Sequence, residues 1–306
     1  MSETRPKSTA LVVSSQVARG AIGARAMAFA LERLGHAVWL VPTVWMPWHP
    51  GHGRSTRLVP GSDDFAAALA EIAESERTEE IDTVVTGWFA DAGQVEATAR
   101  LVERLRLANP ALRLVVDPVL GDGDASGRGA LYVAEATARA VRDRLLALAD
   151  VATPNLFETG WLAGRPVGST AEAIAAARAL AAPLVVVTSA PAMMHRSIAT
   201  LLVGADVATQ FEHPLIEGAP HGTGDLLTGL LAARLADGAA PEAALARAIA
   251  AVFEIVARSV RAGADELILA AEQDVLVHPM AQVSQRRIGE VRPGPRRAVV
   301  RPVALD

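Results

Sequence analysis

Gly222-Thr223-Gly224-Asp225 stands directly before an apolar helical run, Leu226–Ala236. Two glycines let the backbone come close to a ligand. The open N–H groups of a first helical turn, at the positive end of the helix dipole, cradle an anion such as phosphate. A carboxylate at that edge, Asp225, is placed to take the proton of an attacking hydroxyl, so phosphoryl transfer is the chemistry this turn suits. The same four residues also read as a glycine turn with Asp as an ordinary helix cap. Two other segments decide how much weight the first reading carries. Asp117-Pro118-Val119-Leu120-Gly121-Asp122 leads into a stretch with four glycines between 121 and 129 and then Leu131-Tyr132-Val133. Asp117 and Asp122 suit Mg²⁺, a hard cation that takes oxygen ligands and keeps much of its water, and the glycines suit a flap over a phosphate. Thr153-Pro154-Asn155-Leu156-Phe157-Glu158 is the third segment, and it is also a common turn and cap sequence.

Each segment needs an element on either side, and the sequence supplies them. Short apolar runs rich in β-branched residues recur at Ala10–Val13, Ala37–Val41, Thr83–Thr86, Arg113–Val116, Val151–Ala152 and Leu184–Thr188. Several are continuously apolar, as expected of parallel strands covered on both faces. Between them lie Ala-rich helical stretches: Ala24–Leu34 closed by Gly35, Asp63–Ala73, Ala171–Ala181, and Pro241–Val256 with Pro at its start. The pattern predicts an α/β chain with a mostly parallel central sheet. The candidate segments then fall at carboxyl ends of strands, where open α/β sheets bind ligands. No repeat or linker interrupts residues 10–270, so residues 1–306 read as one domain. Residues 1–9 are expected to form a flexible tail, and the Arg-rich stretch 285–297 a loop leading to the apolar 298–303.

Composition narrows the partner. Hydrophobic residues make up 51% of the 306, and 29 basic against 34 acidic residues give a net charge of −5, interspersed along the chain. That balance argues against nucleic acid or an anionic membrane and for a small-molecule substrate. With no cysteine there is no disulfide, thiolate metal site or Cys nucleophile, which together with a polar start and no spanning segment predicts a cytoplasmic protein.

Taken in order, Asp-Pro-Val-Leu-Gly-Asp, Thr-Pro-Asn-x-x-Glu and Gly-Thr-Gly-Asp resemble the pattern of the pyridoxal kinase family. Val13–Gly23, Arg33-Leu34-Gly35, Val38-Trp39, Thr86-Gly87-Trp88, Tyr132-Val133 and Thr188-Ser189 extend the resemblance over most of residues 10–280. The resemblance implies a ribokinase-like three-layer α/β/α sandwich and ATP-dependent phosphorylation of the 5′-hydroxymethyl group of vitamin B6. It implies Asp225 as base, with Gly222, Thr223 and Gly224 as anion hole. Asp117, Asn155, Thr188 and Ser189 would lie along ATP. Asp122 and Glu158 would position Mg²⁺, and Thr153 a monovalent cation, K⁺ or Na⁺. Ser15 would bond the pyridine ring, with Trp88, His49, Pro50 and Tyr132 bordering the acceptor. A homodimer is implied as well.

Departures cluster at the acceptor end. The family's Asn-His-Thr-Gly-Tyr loop corresponds to Trp48-His49-Pro50-Gly51-His52, so Pro50 replaces a hydroxyl and offers no N–H. Gln16 and Ala24 replace a His and an Asn, and the flap lacks a Trp. Rivals therefore stand: a hydroxymethylpyrimidine or sugar kinase of the same fold, or a homologue that binds nucleotide or vitamin without turnover. His49-x-x-His52 is a weak zinc signal better read as pocket wall, and Trp45 and Trp48 read as packing. A dinucleotide fingerprint fails at Ala18, and Ser14 and Ser15 lack a hydrolase elbow.

Overall fold

The computed structural model describes residues 6–124 and 126–289. β1 (Thr9–Val17), α1 (Ala24–Arg33) and β2 (Ala37–Met46) come first, then α2 (Ser62–Glu74), β3 (Ile81–Thr86), α3 (Ala92–Ala108) and β4 (Arg113–Val116). A short hairpin of β5 (Gly121–Gly123) and β6 (Gly129–Leu131) follows. α4 (Glu135–Ala140) passes through a π-helical turn, Val141–Leu145, into α5 (Leu146–Leu148). The remainder is β7 (Val151–Ala152), α6 (Leu156–Leu162), α7 (Thr170–Ala177), β8 (Leu184–Ala190), β9 (Ser197–Val203), β10 (Ala208–Pro214), α8 (Thr223–Ala236), α9 (Pro241–Arg261), α10 (Gln273–Val277) and β11 (Ser284–Ile288).

Nine strands form one sheet in the order β11-β10-β9-β8-β7-β4-β3-β1-β2. From β2 to β8 all neighbours are parallel, while β9, β10 and β11 add on antiparallel. The continuous apolar runs are explained by the two faces. Leu11 and Val13 of β1 pack with α2, α3 and α7, whereas Ala10 and Val12 pack with α1, α8 and α9. All four are essentially fully buried. Burying a Val or Leu side chain stabilises by about 1.5–3 kcal/mol, so both faces of each strand hold the sheet between its helical layers.

Parallel strands point their carboxyl ends at one edge. There β1 presents Ser15, β3 runs on into Gly87-Trp88, β4 into Asp117, β7 into Thr153 and Asn155, and β8 carries Thr188 and Ser189. α8 starts at the same edge and is buried from Leu226 to Leu235, as a helix apolar all round must be. Its position, and that of the turn before it, is thus fixed by the core.

Four expectations need correction. The segment 121–131 is a β-hairpin rather than a loop, because Gly121 and Asp122 pair with Leu131 and Ala130. Ser284–Ile288, expected inside an Arg-rich loop, forms edge strand β11: the open side of β10 accepts its ladder, and an edge tolerates exposed arginines. Thr9 belongs to β1, and Lys7 pairs with Asp237 at 2.9 Å, so order reaches into the expected tail. Residues 1–5 and 290–306, including the expected apolar run 298–303, lie outside the described residues. Trp45 and Trp48, read as packing, are half-exposed.

Candidate active site

The turn before α8 is built by Gly222. Its φ of 97° is left-handed, and a Cβ there would collide with the carbonyl of Ala21, so only glycine fits. With no side chain capping it, the helix leaves its first-turn N–H groups facing the cleft. Gly224 is different: a Cβ there meets no protein atom within 4 Å. Packing therefore does not demand a glycine at this position. Thr223, Gly224 and Asp225 line one cleft of about 560 Å³, and so do Gly222 and every other residue singled out above: Ser15, His49, Pro50, Trp88, Asp117, Asp122, Tyr132, Thr153, Asn155, Glu158, Thr188 and Ser189.

Three carboxylates crowd the floor, and their environments separate them. Desolvation dominates at Asp225 and pushes its pKa up to about 6, against the opposing pull of the nearby backbone N–H groups of Gly23 and of Asp225 itself. Asp117 is buried and held well above the carboxylate range, by desolvation first and then by the like charges of Asp225 and Glu158. It accepts from the Thr228 hydroxyl at 2.9 Å, and Thr228 in turn sits 2.9 Å from the Thr153 hydroxyl. Glu158 is pushed up to about 7, chiefly by burial, although three backbone donors oppose the shift. Its Oε1 accepts from Leu120 at 2.7 Å and Gly121 at 3.3 Å, its Oε2 from Asn155 at 2.9 Å.

Those bonds explain why Asn155 and Glu158 recur three apart. Asn155 caps α6 by accepting from the Glu158 N–H at 2.8 Å, and the Glu158 side chain reaches back to the Asn155 N–H, a reciprocal capping box. The Asn155 amide also donates to the Gly121 carbonyl at 2.8 Å, which ties the hairpin base to the strand ends. Asn155 is bridged in parallel to Thr188. Beside them Val119 has φ 47° and Ser189 φ 54°. For a β-branched residue such as Val119 that conformation is strained, and strained backbone concentrates at functional sites.

Glu158 spends both oxygens on backbone donors, and among the described residues no group of three or more His, Cys, Asp or Glu side chains is arranged to hold a metal ion. The donor set nonetheless fits a hydrated cation. Asp122 and Glu158 are hard oxygen donors in a cleft that also holds Asp117 and Asp225. His49 and His52 both lie beside His221, and His52 is also 3.0 Å from Glu266.

The other wall comes from the loop after β2. Pro50 opens a single 3₁₀ turn capped by His49, whose Nδ1 accepts from the Gly51 N–H at 3.1 Å. Trp88 receives the Arg57 guanidinium 5.8 Å from its ring centre. A second, smaller pocket of about 160 Å³ shares Thr188, Ser189, Thr223 and Gly224 with the cleft and is otherwise mostly apolar, with Leu227, Ile249, Val252 and Phe253 beside Thr200 and His213.

Comparison with known proteins settles the lineage. The model of the phosphomethylpyrimidine kinase family matches residues 65–269. A pyridoxal kinase from Rubrobacter xylanophilus is 34% identical over 284 residues, which cover 91% of this chain and 97% of that protein. The chain belongs to the pyridoxal kinase family. A pyridoxine/pyridoxal/pyridoxamine kinase from Bordetella bronchiseptica is likewise 34% identical over 267 residues, covering 84% of this chain and 92% of that one. Among solved structures, pyridoxal kinase from Entamoeba histolytica superposes with a TM-score of 0.84 at 26% identity, over 92% of this chain and 99% of that one. Pyridoxal kinase from Leishmania donovani in complex with ADP and pyridoxamine gives 0.84 at 27%, with the same coverage.

Membership in the pyridoxal kinase family gives the departures a place. Pro50 stands at the first position of its 3₁₀ turn, where the missing N–H costs nothing, so the loop keeps its shape while losing a polar group. Gln16 leaves its Oε1 buried without a partner among the described residues, and Ala24 is buried at the start of α1. Sequence reasoning passed over Arg57, His221, Thr228 and the apolar pocket against α9. His221 had a signal, since it directly precedes Gly222. Thr228 lies one helical turn after Asp225 on α8, while Arg57 and the apolar pocket come from elements remote in sequence and carried none.

Proposed function

We propose that this chain is an ATP-dependent pyridoxal kinase that phosphorylates the 5′-hydroxymethyl group of vitamin B6 vitamers. The observation that carries the reading is one juxtaposition: open first-turn N–H groups of α8, Asp225 and the strand-end residues Asp117 and Asn155 all face one cleft. In this reading the nucleobase of ATP enters the apolar pocket between β9, β10 and α9, and the polyphosphate passes Thr188, Ser189, Asn155 and Asp117 to the turn at 222–224. The acceptor lies against Ser15, Trp88, His49, Pro50 and Tyr132.

Asp225 accepts the hydroxyl proton as the new O–P bond forms. The bond from the γ-phosphorus to its bridging oxygen breaks, and ADP leaves with that electron pair. A carboxylate titrating near 6 is ionised at neutral pH yet more basic than an ordinary Asp, which suits a general base. Charge on the transferred group falls to the N–H groups of Thr223 and Gly224. Asp122 and Glu158 would hold Mg²⁺, which would supply positive charge to neutralise the polyphosphate. Thr153, whose hydroxyl pairs with Thr228, is the place for a monovalent cation.

The reading treats residues 1–306 as one domain, supported by a sheet that draws strands from residue 9 to residue 288. A cytoplasmic setting and a homodimer belong to it through the family, and light scattering checks the second. The deciding experiment is ADP release with ATP and equal concentrations of pyridoxal, pyridoxine, pyridoxamine and hydroxymethylpyrimidine. Turnover is expected with the three pyridines. Turnover confined to the pyrimidine would move the chain to the activity named by the matching family model, and binding without ADP release would make it a non-catalytic homologue.

A further inference from the structure

The acceptor wall carries a charge that the phosphoryl chemistry does not use. Arg57 lines the cleft with its guanidinium 5.8 Å from the centre of the Trp88 ring. Among the described residues no carboxylate stands within 4.0 Å of it, whereas His52 in the same loop is matched by Glu266 at 3.0 Å. The rings of His49 and His221 lie with centres 4.5 Å apart at a tilt of 44°, and both residues line the same cavity. His49 is held down to about 4 chiefly by desolvation, with His221, His52 and Arg57 adding to the shift. A positive charge is unwelcome at this wall. The acidic residues Asp117, Asp122, Glu158 and Asp225 belong to the strand ends and the start of α8, so the cleft is polarised from an acidic transfer end to a basic acceptor end.

From this we infer that Arg57 is a specificity determinant that selects, among hydroxymethyl-substituted pyridines, acceptors bearing a ring carboxylate over those bearing an aminomethyl group. The inference rests on the kinase reading above. Its physical basis is the planar fork of a guanidinium, which matches a carboxylate with two parallel hydrogen bonds while its face stays on an aromatic ring. An ammonium on the same ring position meets a like charge. The hydroxyl and aldehyde forms, being neutral, fall between.

The test compares pyridoxamine, pyridoxine and 4-pyridoxate as acceptors with ATP, in wild type, Arg57→Ala and Arg57→Lys. Wild type is expected to favour 4-pyridoxate over pyridoxamine by about tenfold or more in kcat/KM. Arg57→Ala should bring that ratio to within about twofold of unity, and Arg57→Lys should keep part of it, since the charge stays and the fork is lost. The preference of wild type should also shrink as salt rises from 0.05 to 0.5 M, values chosen to shorten the screening length by about threefold. Equal loss of kcat/KM for all three acceptors in Arg57→Ala would reduce Arg57 to a packing partner of Trp88 and overturn the inference. So would a wild-type preference for pyridoxamine. Calorimetric dissociation constants for the same acceptors, with a non-hydrolysable ATP analogue present, give the ratio even where no ADP is released. A charge-dependent ratio without turnover would sink the kinase reading and spare Arg57, whereas turnover with no charge dependence would do the reverse.

Discussion

The two ends of the cleft are built by different means. At the transfer end every functional group is fixed by the fold: Asn155 and Glu158 by a capping box, Asp117 by Thr228, Asp225 by the buried helix that follows it. At the acceptor end Ser15 and Trp88 sit at strand ends, but His49, Pro50 and Arg57 hang on the loop after β2, held by one 3₁₀ turn and a ring contact. A site hung on rigid elements keeps its chemistry while its loops change substrate. Substitutions at the first end should therefore abolish turnover, and those at the second should redistribute it among acceptors.

The sharpest break of that contrast is Asp225→Asn. Turnover with pyridoxal is expected to fall by about 10² or more while the ATP dissociation constant, read by calorimetry, stays within about twofold. Retained turnover would erase the distinction between the ends. Next in size is a pair at one turn. Gly222→Ala should lower both Tm and kcat, because φ 97° and the Ala21 carbonyl leave no room, with kcat down by about 10² if the anion hole is lost. Gly224→Ala should leave Tm nearly unchanged and raise the KM for ATP about tenfold, since its Cβ fills only the space kept for the nucleotide.

Smaller effects separate stability from function. Glu158 titrates near 7 in the folded chain against 4.5 for a free Glu, and Asp225 near 6 against 3.8. Both carboxyls hold protons more tightly folded than unfolded, so they favour folding at low pH, and that contribution is lost as pH rises through the folded values. Wild-type stability to urea is expected to decline from about pH 4 to about pH 7, the span between the free and folded values, and Glu158→Gln to flatten the decline. Smallest is Pro50→Thr, which returns a hydroxyl to the loop. The KM for pyridoxal should fall a few-fold, about 0.5–1.5 kcal/mol for one added hydrogen bond, with kcat unchanged.

What was legible in the sequence follows the same division. The parallel strands could be read because both faces are buried, which leaves continuous apolar runs such as Leu114–Val116, and the motifs could be read because turn, cap and ligand each demand particular residue types at fixed spacing. β9, β10 and β11 went unread: Ser197–Val203 and Ala208–Pro214 mix polar and apolar residues without clean alternation, and the arginines of β11 are tolerable only at an edge. The stretch 121–131, with four glycines, reads as a loop because hairpin pairing between Gly121–Gly123 and Gly129–Leu131 leaves no hydrophobic period. Arg57 carried no signal, since nothing in its neighbourhood in sequence announces Trp88. Contacts of that kind exist only once the chain has folded.

The central claim is that Asp225, made more basic by desolvation, takes the proton of the acceptor hydroxyl. It is tested most directly by the pH dependence of kcat/KM for pyridoxal at fixed ATP. The account predicts a rise of about tenfold per pH unit below a midpoint near 6, levelling above it, and the loss of that limb in the residual activity of Asp225→Asn. A wild-type profile flat from pH 5 to pH 7, or a limb that survives the substitution, would contradict it.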